Sequence, residues 1–387
     1  LSIAGFLTIS ILDVFLNLYF FFLFLNSNIR KMKRYNFNAG PAVLPQEVLQ
    51  QASEAVLDFN GTGLSILEVG HRTEWILDVL HEAQSLVKEL MQLNDDFEVL
   101  FLQGGATMQF MQVPLNLLDA GDTAAYCDNG IWGKKAIEEA RYFGNVEVAV
   151  STKDKNHSYI KKDFSVNPKA KYLHYTTNNT VEGTQWHTIP NADVPLVADM
   201  SSDIFSHPLD FAKHSLIYAG AQKNVGAAGV TIVVIHKNIL GKIDRKIPPI
   251  LDYQEHIKAG AVLNTLPVFA LYVSLLTIRW IKKEGGLPEM EKRAKARAAL
   301  FYGALDSLPI FRPLVEKEDR SLMNATFTIE DKDLENKFLN ECKQHGMVGV
   351  KGHRSVGGLR VSMYNAMPLS DVQALIDLMK EFNKKEN

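Results

Sequence analysis

The chain of 387 residues carries 41 Lys and Arg against 44 Asp and Glu, a formal net charge of -3, with 47% apolar and 22% charged residues. That is the composition of a globular protein long enough for one large domain and a smaller one, and it offers no basic footprint or module signature for nucleic acid. Its two cysteines, Cys127 and Cys342, stand far apart, so neither a disulfide framework nor a metal-ligand spacing is expected, and reduced thiols in a cytoplasmic setting are.

Residues 1–25, "LSIAGFLTISILDVFLNLYFFFLFL", are almost wholly apolar with Asp13 as the only charge, a length that can cross a bilayer. Arg30, Lys31, Lys33 and Arg34 follow and would hold the rest of the chain on the cytoplasmic side. The competing reading takes residues 1–31 as upstream sequence read in frame before a start at Met32. A membrane is an expected partner only on the first reading. A basic leader and a small-residue cleavage site are missing, so export is the least favoured outcome.

From about Pro45 to Gly285, short apolar runs alternate with helix-length amphipathic stretches, the pattern of a mostly parallel sheet covered by helices. "TEWILDVLHEAQSLVKELMQL" (73–93) reads as an amphipathic helix. "FEVLFLQ" (97–103), "DTAAYC" (122–127), "KYLHYT" (171–176), "VPLVADM" (194–200) and "HSLIYAG" (214–220) read as buried strands. "VTIVVIH" (230–236) is a sixth, reached from the fifth by too few residues for a helical crossover, so it is expected to pair antiparallel. Gly285, Gly286 and Pro288 then mark a change of texture. Beyond them come a charged helix from Pro288 to about Leu305, strands at 324–329 and 357–364, and helices near 332–345 and 369–383, the outline of a smaller α/β domain.

Within this frame Lys223 sits just beyond a buried strand in "AGAQKNVG", where taken alone it is a solvated loop lysine. Asp199 ends the strand "VPLVAD", at the sheet edge where ligands of α/β folds bind. An amine for a Schiff base and a carboxylate that keeps a pyridine nitrogen protonated are what pyridoxal phosphate requires. A phosphate further needs free backbone N–H groups at a helix start. "LFLQGGATMQF" offers one, with Gly104 and Gly105 after a strand and Ala106 and Thr107 opening the helix.

Nine stretches, in order "NFNAGPAVLP", "GHRTEW", "GGATMQF", "NGIWGKKA", "NNTVEGTQW", "ADMSSDIFSHPLDF", "GAQKNVG", "LNTLPVFA" and "GHRSVGGLRVSMYNA", resemble the phosphoserine aminotransferase family of class V aminotransferases. The resemblance runs from about Met32 to the C-terminus. It implies the α/β architecture of a fold type I pyridoxal 5'-phosphate enzyme. In that architecture a large domain (46–289) holds a mostly parallel, mixed seven-stranded sheet covered by helices, and a smaller α/β domain is built from 32–45 and 290–387. It implies Lys223 as the Schiff-base lysine, Asp199 as the pyridinium partner and Trp132 stacked on the ring. Thr180 would bond the ring oxygen, and Ala106, Thr107 and Gln222 the phosphate. Asn264 and Thr265 would reach the cofactor of a partner subunit, which implies a homodimer with composite sites.

For substrates the resemblance implies L-glutamate and 3-phosphohydroxypyruvate, in serine biosynthesis, and leaves open 4-phosphohydroxythreonine in pyridoxine biosynthesis. Arg360 would fork onto the α-carboxylate. The triplets Gly70-His71-Arg72 and Gly352-His353-Arg354, each a basic loop when read alone, would face each other across the dimer, with His71, Arg72, His353 and Arg354 around one dianion. The chain departs from some members at Ala39, where they have serine, and at Thr107, where they have arginine. Two other readings stay open at this level: an aminotransferase of the serine–glyoxylate type, and a non-catalytic, membrane-tethered protein of the same fold.

Overall fold

The computed structural model describes residues 33–386, so the alternatives drawn for residues 1–31 lie outside the described residues. In chain order the elements begin with β1 (Tyr35–Asn36), α1 (Gln46–Leu57), α2 (Glu74–Met91), β2 (Phe97–Leu102), α3 (Gly105–Leu117), β3 (Thr123–Asp128), α4 (Ile131–Ala140) and β4 (Asn145–Ser151). They continue with β5 (Leu173–Thr176), β6 (Leu196–Asp199), β7 (His214–Gly220), β8 (Thr231–His236), α5 (Tyr253–Lys258), α6 (Val268–Lys283) and α7 (Gly286–Leu305). The last stretch holds β9 (Arg312–Pro313), β10 (Asn324–Thr328), α8 (Lys332–Gln344), β11 (Met347–Val348), β12 (Leu359–Ser362) and α9 (Leu369–Glu386).

Seven strands form one sheet in the order β2-β8-β7-β6-β5-β3-β4. β7, β6, β5, β3 and β4 pair parallel, while β8 is antiparallel to both β7 and β2, as the short link before Val230 requires. The strand that sequence reading did not locate is β4. Its residues are mostly exposed at the sheet's edge, so "NVEVAVS" lacks the continuous apolar run that marks a strand buried on both faces.

Helix α2 shows why the covering layer forms. Ile76, Val79, Leu80, Ala83, Leu86, Val87 and Met91 recur on one face and are buried, the spacing of an amphipathic helix on a sheet. These residues belong to a hydrophobic core that spans both faces of the large sheet and extends to Met290. A second core joins Phe37 to residues of α7, β10, α8, β12 and α9, with Phe311, Phe338 and Phe382 packed ring to ring. It covers a three-stranded antiparallel sheet, β12-β10-β9. β1 pairs parallel with β11, which ties the first described residues to the C-terminal part of the chain. Among the described residues no helix is long and apolar enough to cross a membrane.

Candidate active site

Because β2, β7, β6, β5, β3 and β4 run the same way, their carboxyl ends open on one edge of the sheet, and side chains from loops far apart in sequence meet there. A cavity of about 140 Å³ at that edge is lined by Gly105, Ala106 and Thr107 after β2, by Trp132 after β3, and by Thr176, Asn178 and Thr180 after β5. Asp199, Ser201 and Ser202 at the end of β6 and Gln222 and Lys223 after β7 close it.

Asp199 is the last residue of β6 and is buried. Its Oδ1 accepts from the Ser201 backbone N–H at 2.9 Å. Burial pushes its carboxyl up, and the Lys223 ammonium and the Ser201 donors pull it back. Lys223 donates to Thr180 Oγ1 at 2.8 Å. Burial lowers its ammonium to about 8, with the Asp199 and Asp203 carboxylates opposing that fall and Arg360 adding to it. A lysine so placed is an amine in about one chain in ten at pH 7, far more often than a solvated lysine, which is what a nucleophile or proton carrier needs.

The lysine is held from several sides. The turn that carries it is closed by Gly226 N–H donating to Ala221 O at 2.8 Å, and a Cβ on Gly226 would fall 2.7 Å from Ser274 Oγ on α6. From the N-terminal side, Ala42 N–H donates to Gln222 O, and a Cβ on Gly40 would lie 3.4 and 3.5 Å from the Gln222 and Lys223 Cγ atoms. Asn365 N–H in turn donates to Asn224 Oδ1 at 3.0 Å.

At the opposite wall, Gly104 takes a left-handed conformation with φ of 96° and starts α3 with no side-chain cap, leaving first-turn N–H groups facing the cavity rim. Thr107 is exposed there. Trp132, in the first turn of α4, has the Lys135 ammonium 4.8 Å from its ring centroid. Arg360 Nη1 donates to Thr180 O at 3.2 Å, so β12 of the C-terminal sheet reaches the rim beside the lysine.

Not every residue expected at the site lies in this cavity. Arg72 donates to Val262 O at 3.3 Å and Thr265 O accepts from Gln103 Nε2 at 2.9 Å. Arg72 is thus tied to the 259–265 loop and Thr265 to Gln103, just before the Gly104–Gly105 turn, and none of His71, Arg72, Asn264 and Thr265 lines the cavity. His353 bonds Ser355 Oγ, and the positive charge of Arg360, Arg354 and Lys135 adds to burial in holding its imidazole below the usual range. Arg354 is exposed. Sequence reading missed Thr176, Asn178, Ser201, Ser202 and Phe110. For Thr176 a signal existed: it ends β5 as Asp199 ends β6, and the two are register partners.

Residues 34–375 match the family model of class-V aminotransferases, the class to which this fold and this lysine–carboxylate arrangement point. The phosphoserine aminotransferase of Phocaeicola vulgatus is 50% identical over 356 residues, covering 91% of this chain and 99% of the relative. That of Porphyromonas gingivalis is 50% identical over 361 residues, covering 92% and 100%. The solved phosphoserine aminotransferase of Bacillus circulans subsp. alkalophilus superposes with a TM-score of 0.89 at 40% identity, covering 92% of this chain and 99% of that one. The chain belongs to the phosphoserine aminotransferase family.

The cofactor of this class is pyridoxal 5'-phosphate, and the residues present fit it. Trp132 Nε1 and Thr176 Oγ1 line the cavity buried and without a protein partner. Such groups are costly unless a ligand or water meets them. Among the described residues no cluster of three or more His, Cys, Asp or Glu is arranged to hold a metal ion.

Proposed function

We propose that the chain is a phosphoserine aminotransferase that carries the amino group of L-glutamate to 3-phosphohydroxypyruvate in a ping-pong cycle, giving 2-oxoglutarate and O-phospho-L-serine. The observation that carries the reading is a Lys223 amine softened by burial beside Asp199, on a chain related along nearly its whole length to proteins of that name. Pyridoxal phosphate, when bound, supplies an aldehyde for amine exchange and a ring that takes up the electron pair left on the substrate Cα. Lys223 anchors it and, once displaced by the substrate amine, carries the Cα proton to C4'. In the second half-reaction it returns a proton to the new Cα. Thr180, 2.8 Å from Nζ, holds that amine in place. With the cofactor bound, Asp199 would keep the ring nitrogen protonated, Trp132 would hold the ring, and Ala106, Thr107 and Gln222 would hold the phosphate.

Arg360 binds the α-carboxylate common to both substrates, since a planar guanidinium meets a carboxylate with two parallel donors. The γ-carboxylate of glutamate and the phosphate of the keto acid fall to His353 and Arg354, with His71 and Arg72 of the partner subunit opposite. Asn264 and Thr265 of the partner subunit complete the phosphate cradle. What supports a homodimer is that none of these four residues lines the chain's own cavity. The two cores support a division into a large domain over 46–289 and a small one from 32–45 and 290–387. The two buried free thiols are in keeping with a cytoplasmic protein.

A coupled assay of purified protein with glutamate and 3-phosphohydroxypyruvate tests the reading. Faster turnover of glyoxylate than of the phosphorylated acid would overturn it. Arg354→Ala is expected to lower kcat/KM for 3-phosphohydroxypyruvate on the order of 10²-fold, and far less for an unphosphorylated keto acid, because a charge-assisted contact to phosphate is lost. Equal losses on both would sink the phosphate-reading role. A composite site has a sharper consequence. Mixing Arg72→Ala with Arg354→Ala chains should restore about one quarter of wild-type activity, since half the dimers are hybrids and each hybrid has one complete site. A mixture no better than its components would place all four groups in one subunit.

A further inference from the structure

Glu182, in "NNTVEGTQW", is a buried carboxylate, 7% exposed, that the reaction above does not use. Its Oε1 accepts from the Ile131 backbone N–H at 2.8 Å, the first residue of α4 and the neighbour of Trp132. The fit is close, since a Cβ on Gly130 would fall 2.6 Å from Oε2. On the chain's other side the Glu182 carbonyl accepts from Thr326 Oγ1 at 2.6 Å, and β10, which carries Thr326, pairs Thr326 with Arg360 of β12. Arg360 also donates to Thr180 O, two residues before Glu182. Glu182 Oε2, Asn179 Oδ1 beside it and Arg360 Nε are buried and unpaired.

We propose that Glu182 is a positioning residue that fixes the start of the Trp132 helix against the Arg360 strand, and that its ionisation weakens the hold of Arg360 on a substrate carboxylate. The reason is electrostatic. An anion whose charge is felt at the guanidinium, in a poorly solvated site, competes with the α-carboxylate for the same charge. Burial pushes the Glu182 carboxyl up to about 7, with the Ile131 N–H and Arg360 pulling it down and Asp128 adding to the rise. It is therefore neutral below that pH, leaving Arg360 to the substrate, and becomes an anion above it. Asp128 from β3, Lys134 on α4 and Lys153 and His157 after β4 line the same cleft, while His353, Lys223 and Tyr364 lie within electrostatic reach of Arg360. The charges of these groups act on wild type and variant alike.

This inference rests on Arg360 as the carboxylate-binding residue, and the experiment separates the two claims. The probe is glutarate, a dicarboxylate without an amine, as a competitive inhibitor of the holoenzyme from pH 6 to pH 8.5. In wild type its inhibition constant is expected to rise roughly fivefold to tenfold as pH passes about 7, with kcat moving much less. In Glu182→Gln, whose amide oxygen still accepts from Ile131 N–H, the rise attributable to Glu182 should vanish and the low-pH affinity should persist. A wild-type constant that is flat with pH, or one that rises equally in Glu182→Gln, overturns the proposal. Arg360→Ala should weaken glutarate at every pH. If it does not, the Arg360 assignment fails and the proposal falls with it, whereas a strong Arg360→Ala effect with an unchanged Glu182→Gln profile overturns the Glu182 role alone.

Discussion

Lys223→Ala is expected to abolish transamination, with a loss of kcat on the order of 10⁴-fold or more, because one side chain both anchors the cofactor and carries the proton. Mass spectrometry of borohydride-treated protein should find the cofactor attached in wild type and absent from the variant. A Lys223→Ala protein that retained the attached label would remove Lys223 from the mechanism. The lysine also sets a pH dependence. Its folded value lies near 8, lowered by burial, so about one cofactor-free chain in ten carries the neutral amine at pH 7, and nearly all do at pH 9. The rate of covalent cofactor uptake by the cofactor-free protein should thus rise about tenfold across that interval and then level. An ordinary solvated lysine would keep gaining to beyond pH 10.

Asp199→Asn should cost on the order of 10³-fold in kcat, since the ring nitrogen loses the anion that keeps it protonated as charge develops. The fold should survive. The Asp199 backbone carbonyl, which accepts from Thr177 N–H at 3.0 Å, is untouched, and an amide oxygen still accepts from Ser201 N–H. The folded-state carboxyl is raised by desolvation. Its stability contribution is then full below the unfolded value and lost as pH rises through the folded one, so at neutral pH the ionised group weighs against the cofactor-free fold. The asparagine variant without cofactor should melt at the same temperature as wild type or higher, while kcat falls. A variant that instead loses stability and activity together would mark Asp199 as structural. In wild type, cofactor binding should reverse this cost, because the pyridinium gives the buried carboxylate its partner.

Some of this chemistry was readable in the residue order. Lys223 and Asp199 each follow a long apolar run, and a polar residue that ends a buried strand has little structural reason to be there. Gly104-Gly105 before a helical pattern marks a backbone that must turn sharply. Glu182 was not readable in the same way. Glu182 sits in a polar loop where an acidic residue is unremarkable; only its burial against Gly130 and Ile131 sets it apart. β4 escaped for the opposite reason, since an edge strand exposed along most of its length carries no apolar run to find.

By itself, the sequence determined the alternation of strand and helix, the antiparallel turn into β8 and the two regions of different texture, and it marked Lys223, Asp199 and the Gly104–Thr107 stretch as candidates for the amine, carboxylate and phosphate-cradle roles. Each of these is a local property, fixed by apolar spacing or by the chemistry of a side chain at a strand end. Only the tertiary structure decided which of them meet. The order β2-β8-β7-β6-β5-β3-β4 brings Thr107, Trp132, Thr180, Asp199 and Lys223 to one cavity and leaves Arg72 and Thr265 out of its lining. It also sets Arg360 of a separate sheet beside Thr180, and buries Lys223 and Glu182 deeply enough to move their protonation toward neutrality. Burial and proximity arise from packing between segments distant in sequence, and no local pattern encodes them.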